Sequence, residues 1–216
     1  MKKRNVRNFI VTGGLLVLFI LWTLAVKTVD VQAIGPGGSA VGFAHINSAF
    51  HRLTGVHMVL YTITDWLAIV PFCFVLGFAV LGLLQWIRRK HFLKVDGNIL
   101  ILGGFYIIVM AAYVLFEMFV INYRPVLING YLEASYPSST TMLVLCVMPT
   151  AVMQFGGRIR NRRAKTVINV LLIAFGTFMV IGRLISGVHW LSDIIGGALL
   201  SAGLVMLYYS CCRMVR

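Results

Sequence analysis

Acidic side chains are scarce: the chain of 216 residues holds 6 Asp+Glu against 19 Lys+Arg, and only 12% of it is charged while 60% is hydrophobic. A water-soluble domain cannot solvate its surface on that supply. Together with a mean hydropathy of +0.92, this makes the chain an integral membrane protein. Cysteine is also rare. Cys73, Cys146 and the Cys211-Cys212 pair lack metal-ligand spacing and read as small apolar filler, so no metal and no other cofactor is expected. Internal repeats, low-complexity tracts and a small-x-small cleavage pattern are missing too. The first apolar run therefore reads as an uncleaved anchor rather than a signal peptide.

What is present is long apolar sequence. Runs of spanning length lie at about Phe9 to Val26, Trp66 to Ile87, Ile99 to Ile121, Thr141 to Phe155, Val167 to Ile185 and Leu191 to Tyr209. The expected architecture is all-α, a polytopic bundle of six transmembrane helices forming one domain over residues 1–216. The net charge of +13 could suggest nucleic acid, but its distribution argues against that partner. Of the 19 Lys+Arg residues, 15 fall on one side of the six-span arrangement: Lys2, Lys3, Arg4, Arg7, Arg88, Arg89, Lys90, Lys94, Arg158, Arg160, Arg162, Arg163, Lys165, Arg213 and Arg216. By the positive-inside rule both termini are cytoplasmic in a plasma-membrane protein. The other four, Lys27, Arg52, Arg124 and Arg183, face outward.

Ionisable residues inside apolar sequence are functional candidates, since each costs roughly 2.5 to 3.5 kcal/mol at membrane depth. Arg183, His189 and Asp193 stand within Gly182 to Asp193. If a helix begins near His189, Asp193 at i+4 shares its face and can hold one ring nitrogen while the other meets a substrate. Arg124 precedes Pro125, where a helix must end; its planar fork suits phosphate oxygens, and interfacial snorkelling is the plainer alternative. Tyr136-Pro137-Ser138-Ser139-Thr140-Thr141 reads as a helix N-cap, a geometry that also binds anions. Asp65 reads first as a cap for the second span and second as a cavity-facing carboxylate. Between the first two spans, Gly35-Pro36-Gly37-Gly38 should form a loop. Beyond it Ile46, Phe50, Leu53 and His57 recur at helical spacing with Asn47, His51 and Arg52 on other faces, which suits a helix lying at the outer interface and packing over the bundle like a lid.

The three constellations resemble the type 2 phosphatidic acid phosphatase (PAP2) family of membrane lipid phosphatases, whose signatures are K-x6-RP, PSGH and SR-x5-H-x3-D. Here the third reads Gly182-Arg183-x5-His189-x3-Asp193, the first Glu117-x6-Arg124-Pro125 and the second Pro137-Ser138-Ser139-Thr140, so the motif-bearing region runs from about 117 to 193. The resemblance implies a PAP2-like helical bundle and a metal-free phosphatase with an outward-facing site. In it His189 is the nucleophile forming a phosphohistidine, Asp193 orients it, and Arg124, Arg183, Ser138, Ser139 and Thr140 bind the phosphoryl group. Gly182 stands at the serine position of the third signature, and two further departures bear on activity. Glu117 replaces a phosphate-binding lysine and is a possible modulator; seven residues from Arg124, it would share a helical face with it. Thr140 replaces the histidine that protonates the leaving group, a loss typically of about 10²- to 10⁴-fold in rate.

A phosphate leaving group departs unaided more easily than an alkoxide, so an isoprenoid (undecaprenyl-type) diphosphate fits this site better than a phosphate monoester such as phosphatidic acid. The alternative is a catalytically impaired relative that binds a lipid phosphate or anion as sensor, carrier or partner. A transporter using Asp65 and Glu117 has less support, because no broken-helix repeat is visible.

Overall fold

Because the lipid interior offers no hydrogen-bond partners to the backbone, long apolar runs close their N–H and C=O groups within helices. The computed structural model describes residues 2–215, with side chains from Asn5 to Val215. Its α-helices are α1 (Lys2–Thr28), α2 (Ala44–Thr54), α3 (Met58–Leu67), α4 (Ile69–Arg89), α5 (Gly97–Met118), α6 (Ser139–Arg158), α7 (Arg162–Ile185) and α8 (Leu191–Val215). Six spans result, because α3 and α4 run on as one crossing from Met58 to Arg89. The break between them at Ala68 has a local cause: Pro71 carries no N–H for the carbonyl of Leu67, four residues back. All six apolar runs read from the sequence are therefore helical crossings of a multi-pass membrane protein. The side chains of Lys2, Lys3 and Arg4, and Arg216 as a whole, which the charge asymmetry includes, lie outside the described residues.

Helices α6 and α8 form the centre, with α1 and α5 against α8, α7 and α4 against α6, and α3 against α7. Small residues permit this closeness, as expected where packing rather than water exclusion joins helices. A Cβ on Gly196 would lie 2.5 Å from the Tyr136 ring, and one on Gly203 2.7 Å from Leu16. Tyr136 in turn stacks on Phe19 at a centroid distance of 6.5 Å, and its hydroxyl meets Thr23 Oγ1 at 2.6 Å. The segment leading into α6 is thereby held between α1 and α8.

Three expectations are corrected. α5 stops at Met118, so Glu117 and Arg124 do not share a helical face; Arg124 lies in an extended segment paired through Tyr123 and Ala134. α3 begins at Met58, which places Asp65 within the span rather than at its cap. α2 ends at Thr54, so His57, expected to continue its apolar face, lies beyond the helix; Ile46 and Leu53 are exposed and Asn47 is buried. Asn47 turns inward through polar satisfaction, since its Nδ2 donates to Gly42 O and Ser192 Oγ at 2.7 and 2.9 Å while its Oδ1 accepts from Ser192 N. The Gly35–Gly38 loop is as expected, a 3₁₀ turn over Pro36–Gly38.

Gly196→Ala should lower the denaturation midpoint in detergent, at a cost of about 1–3 kcal/mol from overpacking against Tyr136. Gly77→Ala, whose Cβ meets nothing within 4 Å, should be neutral or stabilising. Equal effects of the two would contradict this account of α8 packing.

Candidate functional site

The polar groups that the sequence scatters over 70 residues meet where α6 and α8 begin and α7 ends. Asp193, in the first turn of α8, is completely buried, and its carboxylate accepts from four donors. Asn122 Nδ2 reaches Oδ1 at 3.1 Å, Ser135 Oγ reaches Oδ2 at 2.5 Å, Trp190 N reaches Oδ2 at 3.0 Å, and Ser192 Oγ stands 3.4 Å from Oδ1. A buried carboxylate demands such compensation. Its main-chain carbonyl accepts from Ser138 N at 3.0 Å, tying the start of α8 to the start of α6.

His189 lies in the turn before α8, and Asp193 does not hold it directly as the i+4 spacing suggested. Ser135 stands between them, with Oγ 3.0 Å from His189 Nδ1. A serine hydroxyl has one proton, and Ser135 gives it to Asp193, so Oγ accepts from Nδ1–H. The remaining nitrogen, Nε2, then carries the lone pair; it is buried and has no hydrogen-bond partner. Burial, and after it the positive charges of Arg124 and Arg183, hold the His189 pKa well below its ordinary value, so the ring is neutral.

Both arginines are buried rather than snorkelling. Arg183 Nη2 donates to Asp65 Oδ1 and to Thr140 Oγ1, each at 2.7 Å, and its guanidinium lies 4.8 Å from the Tyr61 ring centroid. Gly182 permits this approach of α3, since a Cβ there would stand 2.7 Å from Thr64 Cγ2. Asp65 is thus an arginine partner, which overturns the capping assignment. Arg124 Nε is 3.1 Å from Glu133 Oε2, at ion-pair distance but not aligned as a hydrogen bond. Its backbone N donates to Glu133 O at 3.1 Å. Glu117 is exposed and belongs to none of the ion pairs among the described residues.

The Ser/Thr cluster opens α6 but does not cap it in the ordinary way. Ser138 occupies the N-cap without a side-chain bond to the helix, and its hydroxyl, like that of Thr141, is buried without a partner. Ten buried side-chain N and O atoms have no hydrogen-bond partner among the described residues, and seven belong to Arg124, Ser138, Thr141, Arg183 and His189. An unsatisfied buried group costs about 1–3 kcal/mol. Their concentration beside the free N–H groups of a helix start is a donor arrangement of the kind that suits a multidentate anion. Ser139, half-buried, and Thr140 also line an apolar cavity of about 210 Å³ whose other walls include Phe72, Val109, Tyr113 and Leu143. The sequence reading missed Ser135, Asn122 and Glu133. Their one visible signal is position, in the segment between Arg124 and Ser138 or just before it.

A sequence model described as the PAP2 superfamily matches residues 98–216. The crystal structure of a transmembrane PAP2-type phosphatidylglycerolphosphate phosphatase from Bacillus subtilis superposes with a TM-score of 0.64, covering 95% of this chain and 97% of that one at 16% identity. That likeness shows the fold. No curated protein matches the chain in sequence.

The hydrogen-bond order from Asp193 through Ser135 to Nδ1 can be read directly by ¹⁵N NMR of histidine-labelled protein, with His189→Gln assigning the signal. His189 should show a protonated Nδ1 and an unprotonated Nε2, and should stay neutral as pH falls through 6.5, because its lowered pKa moves protonation to lower pH. An imidazolium at pH 6.5, or the opposite tautomer, would contradict the geometry.

Proposed function

Because the chain belongs to the PAP2 superfamily, a membership that supports phosphoric ester hydrolysis, we propose that it hydrolyses a lipid phosphate through a phosphohistidine on His189. The observation that carries this reading is the cluster of partnerless donors around a neutral imidazole whose Nε2 is free to attack. In the first step the Nε2 lone pair attacks phosphorus, forming the N–P bond as the bond to the leaving oxygen breaks. Positive charge then develops on the ring, which keeps its Nδ1 proton and is stabilised through the hydrogen bond to Ser135 and, beyond it, by the Asp193 carboxylate. Water attacks the phosphohistidine in the second step and releases phosphate, so one difficult displacement becomes two. Arg124, Arg183, Ser138, Ser139 and the Thr140 hydroxyl bind the phosphoryl oxygens. Such preorganised donors in a site of low dielectric supply most of the acceleration.

The substrate class follows from what the site holds at the departing oxygen. Thr140 accepts from Arg183, and a hydroxyl has no proton to give up near neutral pH. A diphosphate, whose leaving phosphate needs little protonation, suits this arrangement better than a monoester whose alkoxide needs an acid. The apolar cavity beside Ser139 and Thr140 accommodates the start of a hydrocarbon tail. Hence the preferred substrate is an isoprenoid diphosphate of undecaprenyl type. With the basic end of the bundle in the cytoplasm, the site faces the outer leaflet. A second reading draws on the ion pairs to Asp65 and Glu133 and on Thr140: a protein that binds a lipid phosphate without turning it over, as sensor, carrier or partner.

Phosphate release from an isoprenoid diphosphate, phosphatidic acid and phosphatidylglycerol phosphate separates these readings. The diphosphate should be the best substrate, and His189→Ala should lower release on the order of 10³-fold or more. Activity that survives the substitution would sink the mechanism. Release from the two monoesters but not from the diphosphate removes the substrate assignment, and binding without release supports the second reading.

A further inference from the structure

At the opposite end of the same two central helices lies a second polar cavity, of about 500 Å³. Along α6 the residues that line it, Met153 to Arg158, lie roughly 20–27 Å from Thr140. The cavity opens among the first turn of α5 (Asn98), the last turn of α6, the first turn of α7 (Lys165) and the last turns of α8 (Tyr208 to Arg213). Its size is that of a ligand site rather than a packing void.

The cavity's charges are unbalanced. Arg158, Lys165 and Arg213 line it with one carboxylate, Asp96. That carboxylate is already committed: Asp96 Oδ1 pairs with Arg89 at 2.9 Å, and its other oxygen accepts from Gln85 at 2.9 Å. Burial opposes its ionisation, but these bonds prevail and hold its pKa below the usual value. Arg158 stands 3.7 Å from Asp96 and donates to Gln154. Lys165 Nζ donates to Gly156 O at 2.9 Å, and neither it nor Arg213 has an acidic partner among the described residues. Arg213 lies 5.6 Å from the Tyr209 ring centroid, and its Nε is buried without a hydrogen-bond partner. Gly157, on the wall of the cavity, is exposed, and a Cβ there would meet no atom within 4 Å.

The geometry points to a binding site here for a phosphate-bearing anion, held by Arg213 and Lys165 and distinct from the site at His189. Its place at the helix ends of a membrane bundle, with Tyr209 and Met153 among its walls, suits the head group of an anionic phospholipid. A free phosphate offers the same oxygens. The inference stands without the proposed hydrolysis, because it uses none of the residues assigned to that reaction.

Thermal stability of the purified full chain in neutral detergent tests it, titrated with phosphatidylglycerol, phosphatidylcholine or inorganic phosphate. Arg213→Gln removes the guanidinium whose Nε has no hydrogen-bond partner, and Gly157→Glu puts a competing carboxylate on the cavity wall where a Cβ meets no atom within 4 Å. The concentration of phosphatidylglycerol giving half the stabilisation should rise about tenfold in both variants, with phosphatidylcholine unchanged, as expected for loss of a charge-assisted contact. A rise confined to inorganic phosphate assigns the site to the free anion instead. Phosphate bound near His189 acts on all three proteins alike and cancels in the comparison. If wild type and both variants respond equally to both anions, there is no such site.

Discussion

The carboxylate of Asp193 is the constraint from which the rest of the site follows. A charge buried this completely is tolerated only when its lone pairs are occupied, and the four donors come from three places: Asn122 and Ser135 on the segment before α6, Trp190 in the turn before α8, and Ser192 in the first turn of α8. Satisfying one side chain therefore fixes two loops that are distant in sequence. Ser192 extends the fixation to Asn47 of α2, and Trp190 extends it to Tyr123 O through its indole N–H at 2.8 Å. The same network chooses the tautomer of His189. Because Ser135 spends its proton on Asp193, the imidazole must donate from Nδ1 and keep its lone pair on Nε2.

Around this anion the two arginines are arranged with economy of position rather than of charge. Arg183 uses Nη2 for Asp65 and Thr140, which leaves Nε and Nη1 with no partner. Arg124 is steadied by Glu133 while its Nε and Nη1 also remain without hydrogen bonds. Asp65 and Glu133, which pair with these guanidinium groups, are themselves partly exposed. A phosphoryl group can engage the unused donors without displacing either carboxylate. The positive field of both arginines also keeps His189 neutral, the state in which it can attack.

The fold was readable because its cause is one-dimensional: the bilayer requires about 20 apolar residues per crossing, and six such runs exist. Arg124, Arg183, His189 and Asp193 were readable for the related reason that ionisable groups are costly there. Ser135 and Asn122 were not, because a serine and an asparagine in a loop cost nothing and carry no periodicity. Asp65 was visible but misplaced, since Thr64-Asp65-Trp66 imitates a helix start. Its true partner is 118 residues away, a pairing that spacing does not encode. The inward face of α2 was not readable for a similar reason. Apolar periodicity marks Ile46 and Leu53, yet the bond from Asn47 to Ser192 decides which side turns inward. Glu117 was joined to Arg124 by helical arithmetic, and α5 ends before that arithmetic applies.

The central claim is that the network through Ser135 makes Nε2 of His189 the attacking atom. Acid-labile phosphate trapped during turnover of an isoprenoid diphosphate, located by peptide mass spectrometry and resolved between ring nitrogens by ³¹P and ¹⁵N NMR, tests it most directly. The account predicts phosphorus on Nε2 of His189. Phosphorus on Nδ1, or on any other residue, would contradict it.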